Sequence, residues 1–206
     1  MHRILIVEKI SCVGGALKNL LTTHYQDIEV KETAYSTILS ELALQTYDVL
    51  ILGDHQIEES LLLVSACHKE FPNLHILVIS DENEIIIGPI FIKYGSKGFI
   101  NRSASIETVL HAVDLVMKGR LYFSEQLVHG YSSNSFLNAS DGLLTNRELE
   151  ILHALARMAT QMEIAKIFNI SVSRVKTHKK SIFKKLKINN IYDILKYSKL
   201  LVDDNP

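Results

Sequence analysis

Five short strand-like runs, three of them largely apolar with β-branched residues, alternate with stretches of helical periodicity through the first half of the chain. The runs are residues 3–7 (RILIV), 28–33 (IEVKET), 48–52 (DVLIL), 74–79 (LHILVI) and 98–101 (GFIN). Residues 3–7 and 48–52 read as strands buried on both faces, whereas 28–33 alternates like an outer strand. The spacing predicts helices over 12–23, 35–45, 61–71, 83–93 and 105–118. Ser11 and Ser105 stand where helix N-caps belong. Gly88-Pro89 predicts a kinked or shortened fourth helix, because proline lacks the N–H a helix interior needs. Strict alternation of this kind predicts an α/β fold, a doubly wound five-stranded parallel sheet with right-handed crossovers. Ligand sites in such sheets lie beyond the carboxyl ends of the strands. The residues placed there are Glu8, Lys9, Gly53, Asp54, Ser80, Asp81, Asn101 and Arg102.

The pattern changes at Leu144. Thr145 and Glu148 have capping-box spacing. Leu149, Leu152, Leu155 and Ala156 follow as a helical stripe, and a second apolar set comprises Ile164, Ala165, Ile167 and Phe168. Asn169 and Ile170 form a turn, and Ser171 is a good N-cap for a third helix. Laid out at about 100° per residue, that helix puts Val175, Ile182 and Leu186 on one side, flanked by Val172, Lys179 and Phe183. Ser173, Thr177, Lys180 and Lys184 fall opposite, bordered by Arg174 and Lys176. A solvated basic helix would share the charge. The cap, the short turn and the two-faced third helix together make a helix-turn-helix, whose last helix fits a B-DNA major groove.

Charge divides the same way. Residues 141–206 carry 12 Lys+Arg against 7 Asp+Glu, while residues 1–140 carry 10 against 16. A basic C-terminal part and an acidic N-terminal part suit a nucleic-acid reader joined to a module that does not touch DNA. The expected domains are 1–118, a linker over 119–143, and a small all-α unit over 144–206. Asn190 can cap a last helix from Ile191 to about Leu201. Cys12 and Cys67 read as buried free thiols, and neither the cysteines nor the nine histidines form a metal-ligand cluster. No nucleophile–base or paired-carboxylate arrangement stands out, so no enzyme and no cofactor are expected. The N-terminus is too quickly charged for a signal peptide and no apolar run is long enough to span a membrane. A cytoplasmic protein without membrane contact is expected.

Two resemblances add to this reading. The pattern L-T-x-R-E-x-E-[IV]-L, then E-I-A, then I-S-x-x-x-V-K-x-H-x-x-x-I-x-x-K-L resembles the LuxR-type helix-turn-helix of NarL/FixJ response regulators. It implies that Lys176, Thr177 and Lys180 face bases, with Arg174, His178 and Lys184 on the backbone and Ser173 on the same face. It also implies a homodimer joined through the last helix and bound to promoter half-sites in double-stranded DNA. Met158, Met162 and Arg174 depart from the usual Gly, Lys and Thr. The Arg174 change should alter site preference.

ILIVE, YDVLILGD, ILVIS and YGSKGFINR, in that order, resemble a receiver domain over roughly residues 1–118. In that family two acids after the first strand bind Mg²⁺, and an Asp ending the third strand accepts phosphate. A Ser or Thr follows the fourth strand and a Lys the fifth. Here Glu8 is kept, but Lys9 replaces the second acid, Gly53 stands at the phosphoacceptor place, Ser80 is kept, and Arg102 replaces the Lys. Phe99 fills the switch-aromatic position. Mg²⁺ needs hard oxygen ligands, Lys9 would compete with it, and glycine offers no nucleophile. The resemblance therefore implies a degenerate receiver in a regulator that is not controlled by aspartyl phosphate. Glu8, Lys9 and Asp54 are expected to form a self-neutralising ion cluster. A bulge that swings Asp54 into the pocket would instead give a phosphorelay-controlled regulator. A protein-interaction adaptor is the alternative from another class, and an unknown protein or ligand could engage the receiver.

Overall fold

The computed structural model describes residues 1–53, 56–122, 124, 144–157, 159–186 and 188, without the side chains of Asn146 and Leu149. Asp54, the linker stretch 125–143 and the expected helix from Ile191 lie outside the described residues. The chain divides into two compact units, Met1–Ser124 and Glu125–Pro206.

The first unit runs β1 (His2–Val7), α1 (Ser11–His24), β2 (Ile28–Glu32), α2 (Ile38–Leu44), β3 (Val49–Gly53), α3 (Ile57–Glu70), β4 (His75–Ser80), α4 (Glu84–Lys93), β5 (Gly98–Asn101) and α5 (Ile106–Met117). All neighbouring strands are parallel, in the order β2-β1-β3-β4-β5. Every residue of β3 is buried, and so are Ile4 to Val7 of β1, as their unbroken apolar runs require. On β2 only Val30 is buried, in keeping with an edge strand. Val109, Ala112, Val113 and Val116 give α5 the stripe that packs on the sheet. The strand order reverses between β1 and β3, so the crevice of the fold opens beyond Val7 and Gly53.

Several local expectations change. The N-cap of α1 is Ile10, with no side-chain bond, and Ser11 is already helical. The stretch 35–45 begins as a 3-10 turn over Tyr35–Thr37 before α2. The third helix starts at Ile57, with Glu58 and Glu59 in its first turn to meet the helix dipole. Pro89 does not shorten α4, which continues to Lys93; the side chain of Asn83 starts it by accepting from the Ile85 N–H. Cys12 is exposed rather than buried, while Cys67 is buried. The unit also extends past 118. Tyr122 is buried in the core and donates its N–H to the Lys97 carbonyl at 2.8 Å.

The second unit contains α6 (Asn146–Ala156), α7 (Gln161–Ile167) and α8 (Val172–Lys185). Its core joins Ile151, Leu152, Leu155, Ala156, Ile164, Ala165, Val175, Ile182, Leu186 and Ile188. Ile167, expected inside, is 65% exposed. The turn after α7 puts Asn169 at φ 50, a left-handed conformation that asparagine tolerates better than a β-branched residue.

Candidate nucleic-acid interface and a closed strand-end pocket

α8 begins at Ser171, whose hydroxyl accepts from the Arg174 N–H at 3.2 Å. Fourteen residues follow with Arg174, Lys176, Lys179, Lys180, Lys184 and Lys185 and no acid. Val175 and Ile182 are buried, and Leu186 closes the helix on the same side. Ser173, Arg174, Lys176, Thr177, Lys180 and Lys184 are exposed, and His178 is half-buried. Thr177 donates its hydroxyl to the Ser173 carbonyl one turn back, which folds the side chain against the helix. The result is a convex edge of cations and small hydroxyls, about the width that a major groove accepts.

Two contacts that spacing does not reveal join α6 to the other two helices. Glu148, at the third position of α6, completes the capping box with Thr145. Its carboxylate also accepts from Ser181 Oγ at 2.6 Å and Lys185 Nζ at 2.7 Å, both on α8. Burial works against the charge of Glu148. The bonds from Lys185, Ser181 and Thr145 outweigh it and bring the pKa down to about 2. Arg147 stacks over the Phe168 ring, 4.6 Å from its centroid, and donates to the Phe168 carbonyl at 2.7 Å. It thereby satisfies the end of α7. A second capping box, Thr160 with Glu163, starts α7. Its T-x-x-E spacing was visible in the sequence and is the signal that could have found it.

The pocket at the strand ends is assembled differently from the ion cluster expected there. Glu8 Oε2 is bonded to a terminal guanidinium nitrogen of Arg102, and Glu8 Oε1 accepts from the Ile10 N–H at 3.1 Å. Arg102 Nε reaches Asp81 Oδ2 at 2.9 Å. The Glu8 side chain is 1% exposed and that of Arg102 14%. Burial opposes the charge of Arg102, but Glu8 and Asp81 outweigh it and hold the guanidinium more basic than an ordinary arginine. Lys9 is exposed, so the partner of Glu8 comes from the end of β5 rather than from the next residue. Arginine suits this place because its planar fork can serve two carboxylates.

Gly53 explains why the pair fits. A β-carbon on it would lie 2.2 Å from Glu8 Oε2, so the carboxylate of Glu8 occupies the space of a side chain at 53. Ser80 is buried, and its hydroxyl accepts from the Glu82 N–H at 3.0 Å. Phe99 is buried against Phe91, centroids 5.7 Å apart. The residues present do not suit the Mg²⁺ of receiver domains. One acid is replaced by Lys9, none stands at 53, and a cation would have to displace Arg102 from Glu8. Among the described residues, no group of three or more His, Cys, Asp or Glu could hold a metal ion.

A doubly wound five-stranded unit followed by a helix-turn-helix unit is the architecture of a two-unit regulator. The family model for bacterial regulatory proteins of the luxR family matches residues 142–198. The chain is 30% identical over 195 residues to the oxygen regulatory protein NreC of Staphylococcus aureus, spanning 87% of this chain and 89% of that protein. A solved structure of two RcsB dimers bound to two parallel DNAs superposes with TM-score 0.65 at 20% identity, covering 96% of this chain and 98% of that one. A LuxR-family DNA-binding response regulator from Silicibacter pomeroyi matches with TM-score 0.53 and 26% identity, over 61% of this chain and 98% of its own. The chain belongs to the LuxR-type family of bacterial response regulators.

Proposed function

We propose that this protein is a DNA-binding transcription regulator whose receiver unit works without an aspartyl-phosphate cycle. The observation that carries the first part is the exposed row Ser173, Thr177, Lys180 and Lys184 opposite the buried row Val175, Ile182 and Leu186. RcsB, of like fold, is solved as dimers on DNA, and this supports a homodimer here on two half-sites about one helical turn apart. In this reading Lys176, Thr177 and Lys180 meet base edges, while Arg174, His178 and Lys184 meet phosphates. Gel shifts at several salt concentrations test it. Affinity should fall by close to 0.9 log units per log salt for each phosphate neutralised. Lys180→Ala should relax base preference at one position, whereas Lys184→Ala should weaken all sequences alike. Full DNA binding by both variants would end the assignment of α8.

The second part is supported by the Glu8–Arg102 pair standing where a phosphoacceptor side chain at 53 would lie. Control of the receiver then falls to constitutive dimerisation, a partner protein or a small ligand. Acetyl phosphate or beryllofluoride with Mg²⁺ should leave DNA affinity and oligomeric state unchanged. Covalent phosphate recovered on Asp54 would instead make this a phosphorelay-controlled regulator.

A further inference from the structure

α8 carries six cations, but they do not all face outward. Arg174, Lys176, Lys180 and Lys184 are exposed. Lys179 is half-buried, with its ammonium 5.2 Å from the Phe183 ring centroid. Lys185 is held by Glu148 at 2.7 Å. Neighbours in sequence thus have different work, since Lys184 and Lys185 stand about 100° apart around the helix.

The grip on α8 is more than one ion pair. Ser181 and Lys185 are four residues apart, hence on one row along the helix. Both donate to the carboxylate of Glu148, through Oε1 and Oε2. A single donor would allow α8 to pivot about it, whereas two on successive turns fix both rotation and height. Glu148 is itself anchored, because its Oε2 also accepts the Thr145 N–H at 2.8 Å, so it cannot follow a sliding helix. The side chain is 5% exposed, which keeps water from replacing either donor. Base reading by α8 depends on placing Lys176, Thr177 and Lys180 to within a fraction of an ångström of the base edges.

We propose that Glu148 is a positioning residue for DNA reading, acting through Ser181 and Lys185. The charge of Lys185 serves this internal brace and not a phosphate contact. The proposal rests on the assignment of α8 to the DNA groove. Its consequence separates two adjacent lysines that charge counting treats alike.

The test uses the full chain and two duplexes of equal length, one enriched by the parent protein from a random-sequence pool and one of unrelated sequence. Lys184→Met should lower the salt slope by about 0.9 on both duplexes and leave the preference between them unchanged. Lys185→Met should leave the salt slope unchanged and cut the preference about tenfold, the effect of one misread base pair. Glu148→Gln keeps an oxygen for Ser181 but loses the charge, and should behave like Lys185→Met. The double variant should be no worse than either single one, as expected of partners in one interaction. Folding of each variant is followed by thermal melting, and Glu148→Asp serves as the conservative comparison. A slope reduced by Lys185→Met as much as by Lys184→Met would overturn the proposal, because Lys185 would then be touching phosphate. Folded Glu148→Gln and Lys185→Met proteins with undiminished preference would overturn it as well. If the parent enriches no sequence and binds neither duplex, the DNA reading itself fails and the brace fails with it.

Discussion

In each unit of the molecule a nearly sealed carboxylate meets a cation distant in sequence. Glu8 meets Arg102 in the first unit, and Glu148 meets Lys185 in the second. Both carboxylates are nearly sealed from water, at 1% and 5% side-chain exposure. The local chemistry is alike, yet the outcomes are opposite. Glu8 fills the crevice of the sheet, where Gly53 leaves room and where receiver domains keep a reactive acid. Glu148 bonds Ser181 and Lys185 of α8, a helix on which six other polar residues are exposed. In the proposed function, a buried ion pair closes one site and braces another. What decides is whether the pair occupies the functional space or lies behind it.

The comparison can be broken most severely in the first unit. Removing one member of a buried pair leaves the other charge without compensation, which costs about 3–5 kcal/mol. Arg102→Ala should therefore destabilise the sheet unit by about 4 kcal/mol, read by urea unfolding. Replacing both partners, Glu8→Gln with Arg102→Met, should recover most of that loss, because no charge is then left buried. A double replacement as unstable as Arg102→Ala would mean that the pair contributes through something other than charge compensation.

The second carboxylate can be probed with acid. Its folded pKa of about 2 lies below the ordinary 4.5, so its stabilisation is fully present above about pH 4.5 and is lost as pH falls toward 2. After allowance for solvent screening, on the order of 2 kcal/mol should vanish across that window. Glu148→Gln should flatten the pH dependence of the helical unit and leave that of the sheet unit unchanged. The chain has no tryptophan, so peptide-resolved hydrogen exchange is the suitable measurement.

A smaller effect sharpens the contrast within the helical unit. Thr160 and Glu163 form a capping box like that of Thr145 and Glu148, but Glu163 is exposed, and its carboxylate accepts from Thr160 at the start of α7. Thr160→Ala should cost about 1 kcal/mol, the usual worth of a cap, and should leave base preference intact. A loss of preference in Thr160→Ala would show that any weakening of the helix-turn-helix suffices, and would blur the special role of Glu148.

Much of the architecture was readable without coordinates, and the reasons are local. Short apolar β-branched runs bounded by turn residues mark buried strands and alternation marks the outer one, and all five strands lie within a residue or so of the ends read from the sequence. The Thr145–Glu148 box and the Ser171 cap depend on spacings of three residues, which a sequence displays directly. The two faces of α8 follow from helical periodicity, and the buried row is the expected one. Errors arose where a local rule met a competing neighbour. Ser11 is a fair cap by type, but the chain turns at Ile10. Pro89 was expected to kink or shorten the helix over 83–93, yet α4 keeps that length, with Ile86, Ile87 and Phe91 in the core.

The chain by itself determined the sheet, the helix-turn-helix and the departures from the receiver pattern at Lys9, Gly53 and Arg102, because each is written in periodicities or in single positions. Only the tertiary structure decided who pairs with whom. Arg102 is 94 residues from Glu8, and Lys185 is 37 from Glu148. Lys9, adjacent in sequence to Glu8, points to solvent instead. Ionic attraction has no period and no required spacing. A buried carboxylate takes whichever cation the fold brings within reach, and that choice is fixed only when strands and helices have packed.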